Sequence, residues 1–213
     1  MISHAMPGVY LDPSQPPPVS EGGQRKALFL DRDGVINVNH GYVHTAAKTD
    51  WVEGIFELCK AARQAAYTLV VVTNQAGIAR GYYSKEEFLE YTRWMHAEFA
   101  ARGAPLAATY YCPHHPQGML EQYRMECTCR KPGPAMILAA ANALDINLAE
   151  SLLVGDKPSD MVAAKAAGMG YALLLSAYHE RGDKGVATQV SSLRKARQIL
   201  SGHGYLPPDP HRA

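Results

Sequence analysis

The stretch Leu28-Phe29-Leu30-Asp31-Arg32-Asp33-Gly34-Val35-Ile36 confines the chain to few architectures. Residues 27–30 are apolar without interruption, the pattern of a short strand covered on both faces, as in a parallel sheet. The run stops at two carboxylates spaced i, i+2, and a glycine follows at once. In open α/β sheets, ligands gather at the carboxyl ends of the strands. Two acids in such a crevice repel one another unless a metal ion or another positive partner is present. An Asp-Gly pair alone marks no more than a turn. The rest of the chain supplies the matching pieces, in order.

The bulk composition excludes several classes of function. With 213 residues the chain suits one sizeable α/β domain. Its net charge of +1 gives neither a basic surface for nucleic acid nor an acidic tail. No apolar run approaches the ~18 residues of a membrane span. The N-terminus lacks a charged-then-apolar signal pattern, so a cytoplasmic, monomeric protein is expected. In a reducing compartment the four cysteines read as thiols or metal ligands rather than disulfides.

Residues 1–25, rich in Pro, Ser and Gly, read as a flexible lead-in, residues 26–201 as one domain, and 202–213 as a tail. Helical spacing of apolar residues predicts helices over 54–64, 84–101, 134–144, 161–167 and 191–200. Ser84 followed by Glu87 has the form of a capping box. Cys59, on the first of these helices, reads as a small core residue. Apolar runs predict strands over 27–30, 69–72, 107–111, 152–154 and 171–175. Residues 76–81 read as a glycine-bearing loop. Strands alternating with helices give a doubly wound parallel sheet.

Three predicted strands end in polar groups: Asp31 and Asp33, then Thr73 and Asn74, then Asp156. Arg130 and Lys131 precede the helix before the third of these. In a parallel sheet these strand ends share one edge, so the groups can converge. Carboxylates, a hydroxyl and an ammonium make a site for a hard dication and a phosphate, and oxygen ligands suit Mg²⁺.

Asp31-Arg32-Asp33-Gly34-Val35-Ile36, Thr73-Asn74-Gln75, Lys131 and Gly155-Asp156-Lys157-Pro158-Ser159-Asp160 resemble the four motifs of the haloacid dehalogenase superfamily of phosphatases. Within it, the chain resembles the histidinol-phosphate phosphatase-like subgroup. The resemblance covers residues 27–175 and implies a Rossmann-like sheet without a large cap domain. It implies that Asp31 is the nucleophile that forms an aspartyl-phosphate, with Asp33 as general acid and then base. Mg²⁺ would be held by Asp31, Asp156 and the Asp33 carbonyl, and Thr73 and Lys131 would donate to the phosphoryl oxygens. The implied substrate is a small sugar bisphosphate cleaved at the C7 phosphate of a heptose, with histidinol phosphate as the alternative. Substrate-facing candidates are Asn39, His40, Tyr42 and His44 in the loop after Asp33, together with Asn74, Gln75, Arg80, Arg130 and Lys157. A reading of another class is a zinc-stapled binding protein without activity. Its hallmark would be loss of Asp31 or Asp33, and both are present.

Cys112, Cys127 and Cys129, with a histidine at 114 or 115, read as a tetrahedral Cys₃His zinc site within residues 112–130. The pattern of the resembled family, Cys-x-His…Cys-x-Cys, selects His114. Four protein ligands leave no position open for water, so this zinc would be structural and would pin the loop that carries Arg130 and Lys131.

Overall fold

The computed structural model describes residues 5–13, 24–176 and 187–208. A single seven-stranded sheet runs in the order β1-β4-β3-β2-β5-β6-β7. Its centre is β2 (Ala27–Leu30), every residue of which is buried. β3 (Thr68–Asn74) and β5 (Leu152–Gly155) pair with it in parallel on either side. β4 (Ala108–Cys112) extends the sheet beyond β3, and β6 (Tyr171–Leu175) extends it beyond β5.

The chain runs outward through β2, β3 and β4, then returns to the other side of β2 to form β5. The carboxyl end of β2 therefore lies at the switch point where an open α/β sheet leaves a crevice. Alternate strand residues feed two cores. Leu28, Leu30, Leu69 and Val71 join α1 (Ile55–Gln64), part of α3 (Lys85–Ala101) and α6 (Leu193–Gly202) on one face. Phe29, Val70 and Val72 join α4 (Ala135–Leu144) and α5 (Pro158–Ala166) on the other. The capping box of α3 is present. Glu87 N–H donates to Ser84 Oγ at 3.0 Å, and Ser84 N–H donates to the Glu87 carboxylate at 2.7 Å.

Four departures from the expected elements have identifiable causes. Part of the N-terminal lead-in joins the sheet as β1 (Gly8–Leu11), antiparallel to β4. Gly8 lies against the Tyr111 ring, where a Cβ would come within 2.2 Å of it. β7 (Ala187–Val190) adds a parallel edge strand beside β6. The glycine-bearing loop contains one helical turn, α2 (Ala76–Ala79). The start of the C-terminal tail is packed rather than free: Leu206 is buried against the first core, and Ser201 Oγ donates to the Pro207 carbonyl.

Candidate active site

The end of β2 is fixed by Asp31 N–H, which donates to the Val154 carbonyl of β5 at 3.0 Å. Asp31 is thereby buried at the bottom of the crevice. The Lys131 ammonium, also buried, lies 2.9 Å from Asp31 and 2.6 Å from Asp160, and donates to the Val72 carbonyl at 2.8 Å. All three of its donors are used. Burial alone would raise the Asp31 carboxyl, but the charge of Lys131 and its hydrogen bond hold it below the usual carboxylate range. Burial would lower Lys131 in the same way, and the two carboxylates instead raise it. Both groups are therefore charged at neutral pH.

Asp156 continues from β5. Carboxylate oxygens of Asp31, Asp156 and Asp160 lie within 4.8 Å of one another. Burial, and then the neighbouring Asp31 charge, push Asp156 up to about 7 against the opposing Lys157. One of its oxygens is buried without a hydrogen-bond partner. That oxygen, with the Lys157 ammonium 3.6 Å away and a second carboxylate beside it, fits a hard dication. Asp160 is otherwise occupied, with Lys131 on one side and Lys157 N–H donating to it at 3.0 Å on the other. It completes the cluster of acids but serves to hold Lys131. Gly34 makes the close approach possible. Its φ is +97°, and a Cβ there would sit 2.3 Å from the Asp156 carboxylate. A magnesium site that uses the Asp156 carboxylate is expected to lose affinity by about tenfold per unit as pH drops below 7. Calorimetric titration on both sides of that pH checks this. An affinity flat across the range would remove Asp156 from the site.

The Asp33 carboxylate faces away from that cluster. It accepts from Arg32 at 2.7 and 2.8 Å, from Asn37 Nδ2 at 3.1 Å and from Gln75 Nε2 at 3.3 Å. Gln75 also donates to Thr73 Oγ1 at 2.7 Å and accepts from Tyr83 at 2.7 Å. Its amide is fully used and buried, so it is a support for Asp33 and Thr73 rather than the substrate contact expected. Asn74 lines the small cavity beside Asp31 and also braces the Lys131 loop. Its amide donates to the Lys131 carbonyl and accepts from Lys131 N–H, both at 3.0 Å, which clamps the Lys131 loop to β3.

Asp31, Asp33, Thr73, Asn74, Lys131, Lys157, Ser159 and Asp160 line a cavity of about 30 Å³. A space of that size excludes a sugar, which would have to lie outside. A larger cleft of about 690 Å³ opens along the other side of Lys131, lined in part by His115, Gln117, Thr128 and Arg130.

The loop after Asp33 divides into two halves. Asn39 accepts from Gly41 N–H, and His40 pairs with Asp50 at 2.7 Å, so both organise the turn rather than face the cavity. Tyr42, held at φ +53°, is exposed and meets Tyr82 edge-on at 4.6 Å, and His44 stacks on Tyr83 at 4.6 Å. Arg32, Asn37, Tyr83 and Asp160 are functional neighbours that the spacing arguments leave unassigned.

At the end of β4, Cys112, His114, Cys127 and Cys129 converge. Their sulfurs are separated by 3.3–3.5 Å, and His114 Nδ1 lies 3.3 and 3.6 Å from Cys129 and Cys112. Those edges approximate a tetrahedron around zinc with Zn–S of about 2.3 Å. Hydrogen bonds from the other two thiols bring Cys127 down to about 2, and the same bonds with burial push Cys112 up. Cys129 rises to about 12, as Cys127 and burial outweigh a bond from Cys112. Three sulfurs this close ionise together only around a cation. His115 is not in the cluster: its Nδ1 accepts from Gln117 N–H at 3.0 Å, and its ring lines the larger cleft.

The comparisons agree with this geometry. Residues 128–195 match a family model described as HAD-hydrolase-like. A HAD-like phosphatase of Mesorhizobium loti superposes with a TM-score of 0.82 at 28% identity, covering 97% of both chains. A heptose 1,7-bisphosphate phosphatase of B. bronchiseptica, solved with magnesium and phosphate, superposes with a TM-score of 0.71 at 28% identity, covering 84% of this chain and 99% of that one. The fold and site are thus those of a haloacid dehalogenase-like phosphatase. Among curated relatives, the D-glycero-beta-D-manno-heptose-1,7-bisphosphate 7-phosphatase of Vibrio cholerae is 46% identical over 82% of this chain and 94% of its own. The D-glycero-alpha-D-manno-heptose-1,7-bisphosphate 7-phosphatase of Burkholderia mallei is 47% identical over 83% of this chain and 93% of its own. The chain belongs to the D-glycero-D-manno-heptose-1,7-bisphosphate 7-phosphatase family.

Proposed function

We propose that this chain is a cytoplasmic, monomeric phosphatase that removes the C7 phosphate of D-glycero-D-manno-heptose 1,7-bisphosphate. It leaves heptose 1-phosphate for nucleotide-activated heptose and surface polysaccharide. The observation that carries the reading is the pair of acids at the switch point: Asp31 kept anionic by Lys131, and Asp33 two residues on, held by amide and guanidinium donors. Among the described residues, no helix is long and apolar enough to cross a membrane.

In the first step the Asp31 carboxylate attacks phosphorus, and Asp33 in its acid form protonates the departing C7 oxygen. In the second, Asp33 takes a proton from water as that water attacks the aspartyl-phosphate and Asp31 departs. When Asp31 becomes an acyl phosphate, Lys131 is released from it to donate to the phosphoryl oxygens. Gln75 occupies a lone pair of Thr73 Oγ1, which turns the hydroxyl proton away from it and leaves that proton free to donate. Asp31, Asp156 and the Asp33 carbonyl would hold Mg²⁺, which neutralises charge developing on the phosphoryl group. Zinc in the Cys₃His cluster is structural.

The second phosphate has a place of its own. Burial, and then the charges of Arg130 and Arg80, lower the affinity of His115 for protons. Arg130 and His115 line the larger cleft beside Lys131. The Arg130 guanidinium on that cleft, with the Arg80 charge near His115, suits a bisphosphate. It disfavours histidinol phosphate, whose amine is cationic. Arg130→Met is accordingly expected to raise KM for the bisphosphate by roughly 10- to 100-fold, the scale of a lost charged hydrogen bond, and to spare kcat. An unchanged KM would move the second phosphate elsewhere.

Asp33→Asn is expected to lower kcat by roughly 10²–10⁴-fold, the usual contribution of a general acid and base, with Mg²⁺ affinity retained. Unimpaired kcat would assign proton transfer to another group. The function itself is tested by phosphate release from both anomers of the bisphosphate and from histidinol phosphate. Turnover of either anomer above histidinol phosphate supports the reading and assigns the anomer. Preference for histidinol phosphate would replace it.

A further inference from the structure

We infer that Arg32 is a positioning residue that fixes the carboxylate of Asp33 for proton transfer and ties it to the loop carrying Tyr42 and His44. This rests on the assignment of Asp33 as general acid and base above.

Arg32 is fully buried. A buried guanidinium is costly unless paired, and a buried ion pair by itself is weak evidence of a stabilising role. The distribution of its contacts points elsewhere. One terminal nitrogen makes all of its polar contacts: both Asp33 oxygens, at 2.7 and 2.8 Å, and the Val43 carbonyl at 2.6 Å. Its Nε and other terminal nitrogen meet no acceptor. The group instead lies 5.2 and 5.7 Å from the ring centres of Tyr91 and Phe88, which cover a cation without directing it. Its close hydrogen bonds thus go to one carboxylate and one loop carbonyl, with the Tyr83 hydroxyl as a further neighbour.

A second connection runs in parallel. The Asp33 carboxylate accepts from Gln75, Gln75 accepts from the Tyr83 hydroxyl, and the Tyr83 ring stacks on His44. The loop therefore reaches Asp33 twice, through Val43 and Arg32 and through His44 and Tyr83. A carboxylate restrained by three donors has one orientation, and orientation governs how well a proton reaches the leaving oxygen. In that step the bond from Asp31 to phosphorus forms while the bond from phosphorus to the leaving oxygen breaks. The Asp33 proton passes to that oxygen, and Asp33 becomes the carboxylate that Arg32 holds.

The test uses the Mg²⁺-loaded full chain and a series of ring-substituted phenyl phosphates. These share a size and lack sugar contacts, but differ in how much their leaving oxygen needs a proton. For the native chain, kcat/KM should depend weakly on the leaving group. For Arg32→Met, it should fall roughly 10- to 100-fold for phenyl phosphate and little for dinitrophenyl phosphate, part of the full general-acid effect. Arg32→Lys should fall between them, because its ammonium keeps the charge beside Asp33 but sits on a shorter stem and lacks the planar group that Tyr91 and Phe88 cover. Asp33→Asn sets the limit of steep dependence. A folded Arg32→Met chain with native dependence overturns the inference. If that variant does not fold, native dependence in Arg32→Lys does the same. Native dependence in Asp33→Asn would instead overturn the acid–base assignment of Asp33, which separates the two failures.

Discussion

Asp31→Asn is expected to abolish phosphate release, by at least about 10⁴-fold, while the chain still folds and keeps its zinc. The amide fills the same volume, but it lacks the anion that must bond to phosphorus. The structure predicts a bystander effect that a simple loss of folding would not show. Lys131 keeps Asp160 and the Val72 carbonyl as partners, so its buried charge stays compensated. Asp156 loses the neighbouring charge that, after burial, raises it to about 7. The sign follows. A carboxyl raised in the folded chain loses stabilisation as pH climbs through its folded value, and removing one cause of the rise moves that loss to lower pH and makes it smaller. In the absence of metal, the melting temperature of the variant should therefore decline less than that of the native chain between about pH 5 and 8. Kinetics and thermal melts check the two halves. Substantial turnover in the variant would overturn the aspartyl-phosphate route, and melts that decline equally would show that Asp31 and Asp156 are not coupled.

How much of this site is legible in the sequence depends on whether its cause is local. Asp31, Thr73 and Asp156 converge as expected because each follows an apolar strand, and parallel strands bring their carboxyl ends to one edge. The zinc ligands are legible for a similar reason, since close spacing within each pair leaves few ways to bring the sulfurs together. The partners of Asn74 are not legible, because its amide is claimed by backbone groups 57 positions away. β1 is hidden too. Val9 and Leu11 are exposed, so no buried alternation marks the strand, and the space that seats it is created by the absence of a side chain at Gly8 beneath Tyr111. Arg32 did carry a signal. The one cation between buried Leu30 and buried Val35, Ile36 must itself be paired, and Asp33 is the anion beside it. Asp160 carried one as well: an acid four residues after Asp156, in the first turn of a helix, can fold back on the same crevice.

Cys127→Ser is expected to release the zinc and, with it, the order of the segment from Cys112 to Lys131. Between β4 and α4 the chain has one short helical turn, at Glu121–Tyr123, so little regular structure would hold this segment without the metal. Structural zinc sites contribute on the order of 10 kcal/mol of binding energy that doubles as folding energy, and a hydroxyl is a poor substitute for a thiolate. The consequence for catalysis is uneven. Lys131 is secured independently, by the Asn74 clamp and by the Val72 carbonyl, both on β3. Arg130 is held by its bond to the His114 carbonyl at 3.2 Å, within the zinc cluster. Loss of zinc should therefore raise KM for the bisphosphate more than it lowers kcat, and should change kcat/KM for a small aryl phosphate least. Elemental analysis of chain purified without chelator decides the first point, with about one zinc per chain expected and none refuting the site. Parallel kinetics on the bisphosphate and an aryl phosphate decide the second. A zinc-free variant with native kcat/KM for both would make the loop a bystander, and equal loss on both would mean that Lys131, too, depends on the metal for its place.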